Sequence, residues 1–147
     1  MTTQDLVALF RVYLKSSGLK STRQREQIAE VLLSEVAVHL TLEEMHGRVR
    51  TVQSSIGFST VYRTVKLLVA AGLLEEHRFG RSAQARYEVT GDREHHDHLI
   101  CVRCDAIVEY EEEEVEALQE AICKRYGFEI VGHRHEIYGI CPTCRTA

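Results

Sequence analysis

Residues 59–79 read STVYRTVKLLVAAGLLEEHRF, and this stretch decides the fold of the first half of the chain. Its first part repeats apolar residues at helical spacing, which places Val61, Val65 and Leu68 on one buried face. Gly72 suits the left-handed residue that follows a helix, and the residues after it have the pattern of a β-strand. Three further helical patterns precede this stretch, so it predicts the recognition helix and first wing strand of a winged helix-turn-helix domain.

The flanking sequence completes this domain. The first helix contains residues 6–14 and stops at Ser17-Gly18, and the second begins near Ser21, whose hydroxyl is predicted to cap it. The third begins at Thr41, where Glu44 completes a capping box. A strand over residues 85–89 is predicted to pair with the strand over residues 73–79 around a turn that contains Gly80.

The rest of the chain has a different organisation. Strands are expected near residues 95–101 and 106–110, followed by an amphipathic helix with Val115, Leu118 and Ile122, and then a strand over residues 128–138. The sequence therefore predicts an α+β protein: a winged-helix domain over residues 1–89, a hinge over residues 90–93 and an α/β domain over residues 94–147.

The charge distribution supports two domains with different partners. Residues 1–91 carry 12 Lys and Arg against 9 Asp and Glu, a balance of +3. Residues 92–147 carry 6 against 13, a balance of −7, and they also contain all five cysteines. The first half is the better candidate for contact with phosphate groups.

The sequence also bounds the location of the protein. No apolar run approaches the length of a membrane span, and the first residues lack a basic segment followed by an apolar one. We therefore expect a cytoplasmic protein that makes no contact with membranes. In that compartment, paired cysteines favour a metal site over disulfides.

The outer face of the fourth helix is a candidate DNA-binding surface. In helix-turn-helix proteins, the second helix of the pair lies in the major groove with its first residues near the bases. This helix begins with hydroxyl, aromatic and basic side chains that suit contacts to phosphates and base edges. An ordinary solvated helix face is the alternative. The candidate DNA-binding residues are Lys20, Ser59, Thr60, Tyr62 and Arg63, with Arg23 and Arg25 adding positive charge.

Four cysteines form the strongest chemical signal. Cys101 and Cys104 make one Cys-x-x-Cys pair, and Cys141 and Cys144 make another, with 36 residues between the two pairs. Four thiolates suit tetrahedral zinc in a closed, structural site. Free thiols or a redox-active pair are the alternatives. Cys123 has no such partner in the sequence and is predicted to be a buried structural thiol.

The histidine-rich segment 95–98 lies directly before the first cysteine pair. In a strand, alternate side chains point to opposite faces, so His96 and His98 share one face. Glu109 on the next strand can complete a site with these two residues. A second site is predicted on the other face, formed by His95, Asp97, Glu116 and His133.

At three places the sequence resembles the ferric uptake regulator family, and the resemblance covers nearly the whole chain. Residues 57–64 are similar to its recognition-helix signature, residues 95–104 to its metal signature, and residues 138–144 to its closing cysteine pair. The resemblance implies a repressor of metal-uptake genes that is not an enzyme. It would bind double-stranded, AT-rich palindromic operator DNA as a homodimer, with a tetramer as the alternative assembly.

The resemblance also implies which residues bind the regulatory metal. One ion would be bound on both sides of the hinge, with Fe(II) favoured, Mn(II) or Zn(II) as alternatives, and a separate structural zinc in the cysteine site. The residues after the hinge would form the dimerisation domain. The implied regulatory ligands are His39, Glu88, His96, His98 and Glu109.

The branch of the family depends on a few positions. The peroxide-sensing branch usually has Asp where this chain has Glu88 and Glu109, so the resemblance favours iron sensing over peroxide, zinc or manganese sensing. Asp105 stands where the family usually has Gly, which is expected to perturb that turn without abolishing the zinc site. A metal-dependent hydrolase with Glu109 as general base is the remote alternative.

Overall fold

The computed structural model describes residues 1–80, 84–90 and 96–147. The chain divides into two compact units, Met1–Arg93 (unit 1) and Glu94–Ala147 (unit 2). Of the predicted hinge, residues 91–93 lie outside the described residues. Among the described helices, none is both long and apolar enough to cross a membrane.

Unit 1 has the element order of a winged helix. It consists of α1 Thr3–Ser16, α2 Arg23–Leu32, α3 Leu42–Val52 and α4 Phe58–Ala70, followed by the antiparallel strands β1 Leu74–His77 and β2 Arg86–Val89. One detail of the predicted helix starts is wrong. Thr22, and not Ser21, caps α2, because its hydroxyl accepts a hydrogen bond from the Arg25 N–H at 3.3 Å. The hydroxyl of Ser21 donates to Glu26 instead.

The core of unit 1 is built from the apolar faces of its four helices. The predicted inward residues of α4 are fully buried, and Tyr87 of β2 is the largest fully buried side chain. Each such side chain contributes about 1.5–3 kcal/mol when it leaves water. Burial of one face of α4 therefore fixes which of its residues face outward. The core includes Val7, Phe10, Leu14, Ile28, Leu32, Met45, Val49, Val61, Val65, Leu68 and Tyr87.

A short backbone bridge ties the loop before α3 to β2. The N–H of Leu40 donates to the carbonyl of Tyr87 at 3.0 Å, and the N–H of Tyr87 donates to the carbonyl of Leu40 at 2.8 Å. In this antiparallel register, the residue before Leu40 lies beside the residue after Tyr87. The bridge therefore brings His39 next to Glu88.

Unit 2 contains a three-stranded sheet and two helices. Its elements are β3 Asp97–Cys101, β4 Ile107–Tyr110, α5 Glu113–Arg125, β5 Glu136–Gly139 and α6 Pro142–Thr146. The central strand β3 pairs antiparallel with β4 and parallel with β5. Both neighbours of β3 thus contribute side chains to the two faces on which the predicted ligands lie.

The predicted strand over residues 128–138 is wrong for most of its length. Only Glu136–Gly139 form β5, because the described part of β3 begins at Asp97 and its register with β5 begins at His98 and Glu136. Residues further upstream have no strand of that sheet opposite them in the described chain. Consistent with this, the side chain of Val131 is 98% exposed.

The predicted burial of the α5 region also differs. α5 has no buried residue, and Leu118 and Ile122 are 64% and 50% exposed. Cys123 is half-buried, so its prediction as a buried thiol is wrong. α5 is amphipathic in sequence, but the described residues of the chain leave its apolar side exposed.

We expect Thr41→Ala to lower the free energy of unfolding of the protein by about 1 kcal/mol, because it removes a helix cap. The Thr41 hydroxyl accepts from the Glu44 N–H at 3.2 Å, and the Glu44 carboxylate accepts from the Thr41 N–H at 2.8 Å. Urea unfolding followed by circular dichroism measures the change. Thr51→Ala is the control, because this hydroxyl only donates within its own helix. Equal unfolding midpoints for the two variants would show that the capping box adds no stability.

Candidate metal centres and nucleic-acid surface

The two cysteine pairs form one cluster in unit 2. All four sulfur atoms lie within 4.8 Å of one another, and the sulfurs of Cys104 and Cys141 are 3.7 Å apart. Tetrahedral zinc with bonds of about 2.3 Å places its sulfur ligands about 3.8 Å apart. The cluster therefore fits the closed zinc site that the spacing predicted, and all of its predicted residues, Cys101, Cys104, Cys141 and Cys144, are brought together.

Two chain turns present these sulfurs. Cys101 ends β3, and the turn after it closes when the Asp105 N–H donates to the Cys101 carbonyl at 3.0 Å. Cys141 caps α6, where its sulfur accepts from the Cys144 N–H at 3.4 Å. Its own N–H donates to the Cys101 sulfur at 3.3 Å. Backbone hydrogen bonds thus hold both pairs in position.

Asp105 explains how the first cysteine turn tolerates a residue other than glycine. Its φ angle is 58°, in the left-handed region that glycine adopts most readily. Asp visits this region more readily than most other residues with a side chain. The turn therefore keeps its conformation, as the prediction that Asp105 does not abolish the zinc site requires.

The thiols of the cluster have divergent acidities. Backbone N–H groups of Cys141, Arg103 and Cys104 lower the pKa of Cys101 to about 6, because they stabilise its thiolate. Hydrogen bonding to the sulfurs of Cys104 and Cys141 raises the pKa of Cys144 to about 12. Four sulfurs at this separation cannot all ionise without a compensating cation. The donor set therefore suits a bound metal ion, which favours the ionised form of every thiol.

Unit 1 contains a buried histidine–carboxylate pair. His39 Nε2 lies 3.1 Å from Glu88 Oε2, and the two side chains are 6% and 5% exposed. The bridge between Leu40 and Tyr87 produces this contact, as described above. A buried carboxylate needs a cation or hydrogen-bond donors to offset its lost hydration. The pair is therefore suited to hold part of the coordination shell of a metal ion.

His77 joins this pair and was missed by the sequence analysis. Its Nε2 lies 3.4 Å from the same Oε2 of Glu88, and its ring stacks on Phe79 with centroids 5.3 Å apart. Glu88 pairs with Glu75 in the hairpin, so His77 is its diagonal neighbour on the same face. This proximity depends on the strand register, which the sequence around the turn did not determine.

Unit 2 contains the other three predicted regulatory ligands. His98 is directly opposite Glu109 in the register of β3 and β4. His96 Nε2 lies 3.7 Å from Glu109 Oε1, and the rings of His96 and His98 are 5.0 Å apart. These two nitrogens and one carboxylate share one face of the sheet, as the alternation in the sequence predicted. They are donors that Fe(II), Mn(II) and Zn(II) all accept.

The second predicted site lies on the opposite face of β3. One ligand atom from each of Asp97, Glu116 and His133 lies within 4.8 Å of the others. His133 Nε2 is 3.0 Å from Glu116 Oε1 and 3.9 Å from Asp97 Oδ1. His95, the fourth predicted ligand, lies outside the described residues. The three described residues thus form a mixed nitrogen and oxygen donor set.

The outer face of α4 presents the predicted DNA-binding side chains. Ser59, Tyr62 and Arg63 are exposed, Thr60 is half-buried, and Lys20 is exposed before α2. Gly57 caps α4 without a side-chain hydrogen bond, which leaves the N–H groups of the first turn open to an anion. The second basic residue of α4, Lys66, instead pairs with Glu76 of β1 at 2.7 Å. Arg63 is therefore the basic side chain that α4 directs outward.

The pair between Lys66 and Glu76 fixes α4 against the hairpin. Hydrogen bonding to Glu76 raises the pKa of Lys66, and the same bond lowers the pKa of Glu76, so both groups are charged at neutral pH. The Tyr87 hydroxyl also donates to Glu76 at 3.2 Å. This network orients α4 relative to the hairpin of β1 and β2 within unit 1.

These features define a winged-helix protein with a cysteine metal centre and two further groups of metal ligands. The model of the ferric uptake regulator family matches residues 16–138. The chain therefore belongs to this family of metal-responsive regulators.

Three similar proteins illustrate the relationship. The ferric uptake regulation protein of Rhizobium leguminosarum bv. viciae is 44% identical over 123 residues, which cover 84% of each chain. The structure of the Helicobacter pylori ferric uptake regulator has a TM-score of 0.88 and 30% identity, covering 99% of this chain and 95% of that one. A zinc-bound manganese uptake regulator has a TM-score of 0.69 and 40% identity, covering 90% and 98%.

Proposed function

We propose that this protein is a cytoplasmic repressor that binds palindromic, AT-rich operator DNA as a homodimer when Fe(II) or a similar divalent ion fills a regulatory site. The genes that it represses would be those for metal uptake. The observation that carries the proposal is the division of the regulatory ligands between the two units. His39 and Glu88 form a pair in unit 1, and His96, His98 and Glu109 form a group in unit 2.

An ion that takes ligands from both units links the orientation of α4 to metal availability. Neither group alone supplies more than three of the five donors, so the full shell requires both units. Metal binding then restricts the DNA-binding unit to the arrangement that suits successive half-sites of an operator. Such coupling typically changes DNA affinity by about 1–3 kcal/mol, or roughly 5- to 150-fold.

We assign a supporting role to the second ligand group, Asp97, Glu116 and His133, as an additional divalent-metal site. The Helicobacter pylori ferric uptake regulator is described as having three functional metal binding sites. This chain also presents three sets of donors: the cysteine cluster, the regulatory ligands and this second group. Membership of a family of regulators favours these roles over the hydrolase alternative.

An exposed apolar sheet face supports the homodimer. Leu99 is in register with Val108 on one side and Ile137 on the other, and the three side chains are 40%, 56% and 44% exposed. They line part of an apolar groove of about 220 Å³ that also includes Ile140 and Pro142. Large exposed apolar surfaces on a soluble unit mark interfaces. A second copy of unit 2 presents a matching surface under two-fold symmetry.

Iron is the favoured regulatory metal, and manganese is the second candidate. Identity to a ferric uptake regulation protein reaches 44% over 84% of the chain, which favours iron. Manganese has specific support, because a manganese uptake regulator is 40% identical over 90% of the chain. Nitrogen and oxygen ligands bind both ions, so the metal available in the cell decides occupancy.

Anaerobic DNA binding tests the proposed function. Mild chelation first removes the nitrogen- and oxygen-bound ions and leaves the cysteine-bound zinc. A labelled AT-rich palindrome is then titrated with protein in the presence of Fe(II), Mn(II) or Zn(II), with and without peroxide. We expect Fe(II) or Mn(II) to tighten binding about tenfold or more, within the typical coupling range. Metal-independent binding would contradict the regulatory site, and irreversible loss on exposure to peroxide would indicate a peroxide sensor.

We expect Arg63→Ala to weaken operator binding by about 1–3 kcal/mol and to relax sequence preference, because a base contact is lost. Lys20→Ala should weaken binding to all DNA sequences and lower the slope of log affinity against log salt by about 0.9, because one phosphate contact is lost. Fluorescence anisotropy over a salt series measures both effects. Lys124→Ala of α5 is the control, since it removes the same charge from unit 2. If Arg63→Ala bound the operator with unchanged affinity, the proposed contact between α4 and the DNA bases would be excluded.

A further inference from the structure

Tyr110 and His135 lie next to the second ligand group but are not among its ligands. Tyr110 of β4 pairs directly with Asp97 of β3. On the other side of β3, the His98 N–H donates to the His135 carbonyl at 3.2 Å, so the parallel register continues one residue before β5. Tyr110, Asp97 and His135 are therefore side-by-side neighbours on one face of the sheet.

The two carboxylate oxygens of Asp97 face different partners. Oδ1 lies 3.9 Å from His133 Nε2, on the side of the metal ligands. Oδ2 lies 3.4 Å from His135 Nδ1, and that nitrogen is also 2.9 Å from the Tyr110 hydroxyl. The carboxylate itself is only 2% exposed, so its orientation depends on neighbouring side chains, these two among them, and not on bulk water.

We propose that Tyr110 and His135 are positioning residues of the second site: Tyr110 orients the His135 ring, and His135 holds Oδ2 of Asp97, so that Oδ1 is presented to the ion as a single-oxygen ligand. Hydrogen bonds from outside the coordination shell typically orient metal-bound carboxylates, and loss of such a bond lowers metal affinity about 10- to 100-fold. The inference rests on the second site assigned under the proposed function.

The chemistry of the pair fits this role. A carboxylate accepts hydrogen bonds, and a His Nδ1 that carries the proton donates; in that tautomer the oxygen of the Tyr110 hydroxyl accepts from the same N–H. The contact of His135 Nδ1 with Tyr110 and Asp97 fixes which ring nitrogen faces the carboxylate. His135 is thereby distinguished from His133, whose Nε2 faces the ligand atoms of Glu116 and Asp97.

Cobalt(II) titration of the full chain tests the inference, with zinc left in the cysteine cluster. The visible absorption of bound Co(II) reports both occupancy and coordination number. His133→Ala first identifies the absorption component that belongs to the second site. We expect Tyr110→Phe and His135→Leu each to weaken that component about 10- to 100-fold, while the component of the regulatory site is unchanged. A freed Asp97 that binds through both oxygens would also alter the absorption spectrum.

Two further variants separate positioning from packing. His135→Asn places an amide nitrogen near the position of Nδ1 and should restore affinity that His135→Leu loses. Tyr126→Phe is the control for the phenol, because Tyr126 is 71% exposed and lies at the end of α5. Wild-type affinity and spectrum in both Tyr110→Phe and His135→Leu would overturn the inference alone. A titration of His133→Ala identical to that of the wild type would instead overturn the second site, and the inference with it.

Discussion

Cys141→Ser is expected to remove the zinc ion from unit 2 and to unfold that unit. Cys141 contributes one of the four sulfurs, accepts the Cys144 N–H and donates its own N–H to the Cys101 sulfur. The substitution therefore removes a ligand and weakens the backbone arrangement of both pairs. Binding of a structural zinc ion is typically worth about 10–16 kcal/mol in small zinc-binding peptides, which exceeds the stability of most domains.

The size of this effect follows from the small apolar core of unit 2. Among its described residues, the buried apolar side chains are Ile100 and Cys101, whereas the main core cluster of the chain lies entirely between Leu6 and Val89. With so little buried apolar surface, we expect the unit to depend on the metal and on a partner subunit for its stability. Unit 1 has its own core and should stay folded.

Zinc content, circular dichroism and size-exclusion chromatography measure the outcome for this variant. Wild-type protein should contain one tightly held zinc ion per chain, and Cys141→Ser should contain none and lose its dimer. Cys123→Ser is the matched control, because Cys123 lies on α5 and is not a member of the cysteine cluster. Retention of one zinc ion and the dimer by Cys141→Ser would contradict a structural role of the cluster.

Glu88→Gln and His98→Ala should each abolish most of the metal-dependent increase in DNA affinity. Glu88 supplies the carboxylate of the unit 1 pair, and a neutral amide lacks the negative charge with which a carboxylate attracts a divalent ion. His98 supplies a nitrogen in unit 2, directly opposite Glu109. Loss of either residue leaves an incomplete shell, so we expect the metal-dependent gain of roughly 5- to 150-fold to fall to about twofold or less.

Glu30→Gln controls for the charge lost in Glu88→Gln, since Glu30 is exposed on α2. His133→Ala tests whether the second site can substitute for the regulatory one. DNA binding at saturating Mn(II) is the measurement for all four variants, with zinc content determined in parallel. Full metal dependence in Glu88→Gln would exclude Glu88 as a ligand, and equal loss in Glu30→Gln would assign the effect to net charge.

The helices and the cysteine cluster were the most predictable features, because local sequence determines them. The capping box of Thr41 and Glu44 defines the start of α3, and the two Cys-x-x-Cys pairs specify four sulfurs that need only a turn each. The alternation of residues 96–98 likewise predicted that His96, directly before β3, and His98 within it share one face, since the period of a strand is two.

Features that depend on pairing between distant segments were not predictable. His77 reaches Glu88 only through the hairpin register, and His39 does so only through the bridge between Leu40 and Tyr87. The strand expected over residues 128–138 had suitable residues, but within the described residues it pairs with β3 only over Glu136–Gly139. The β-propensity of a segment determines whether it forms a strand less strongly than the strand with which it pairs.

The predicted ligands Glu88 and His39 show the same contrast between local sequence and long-range contacts. Their residue types suggested nothing by themselves, and the resemblance to a family supplied their role. The structure adds a physical reason for them: a buried carboxylate with a histidine nitrogen 3.1 Å away. The proposed positioning role of Tyr110 and His135 could not be predicted from their spacing in the sequence. The two residues come together only because they lie on opposite sides of the central strand β3.

The central claim is that one ion couples metal binding to DNA binding, and measurement of metal affinity with and without DNA tests it most directly. Mn(II) affinity of the wild-type protein is measured anaerobically, first alone and then with saturating AT-rich palindrome. Linkage requires DNA to tighten Mn(II) binding by the same factor by which Mn(II) tightens DNA binding, about tenfold or more. That reciprocal increase, absent in Glu88→Gln, is the predicted result; equal Mn(II) affinities with and without DNA would contradict the account.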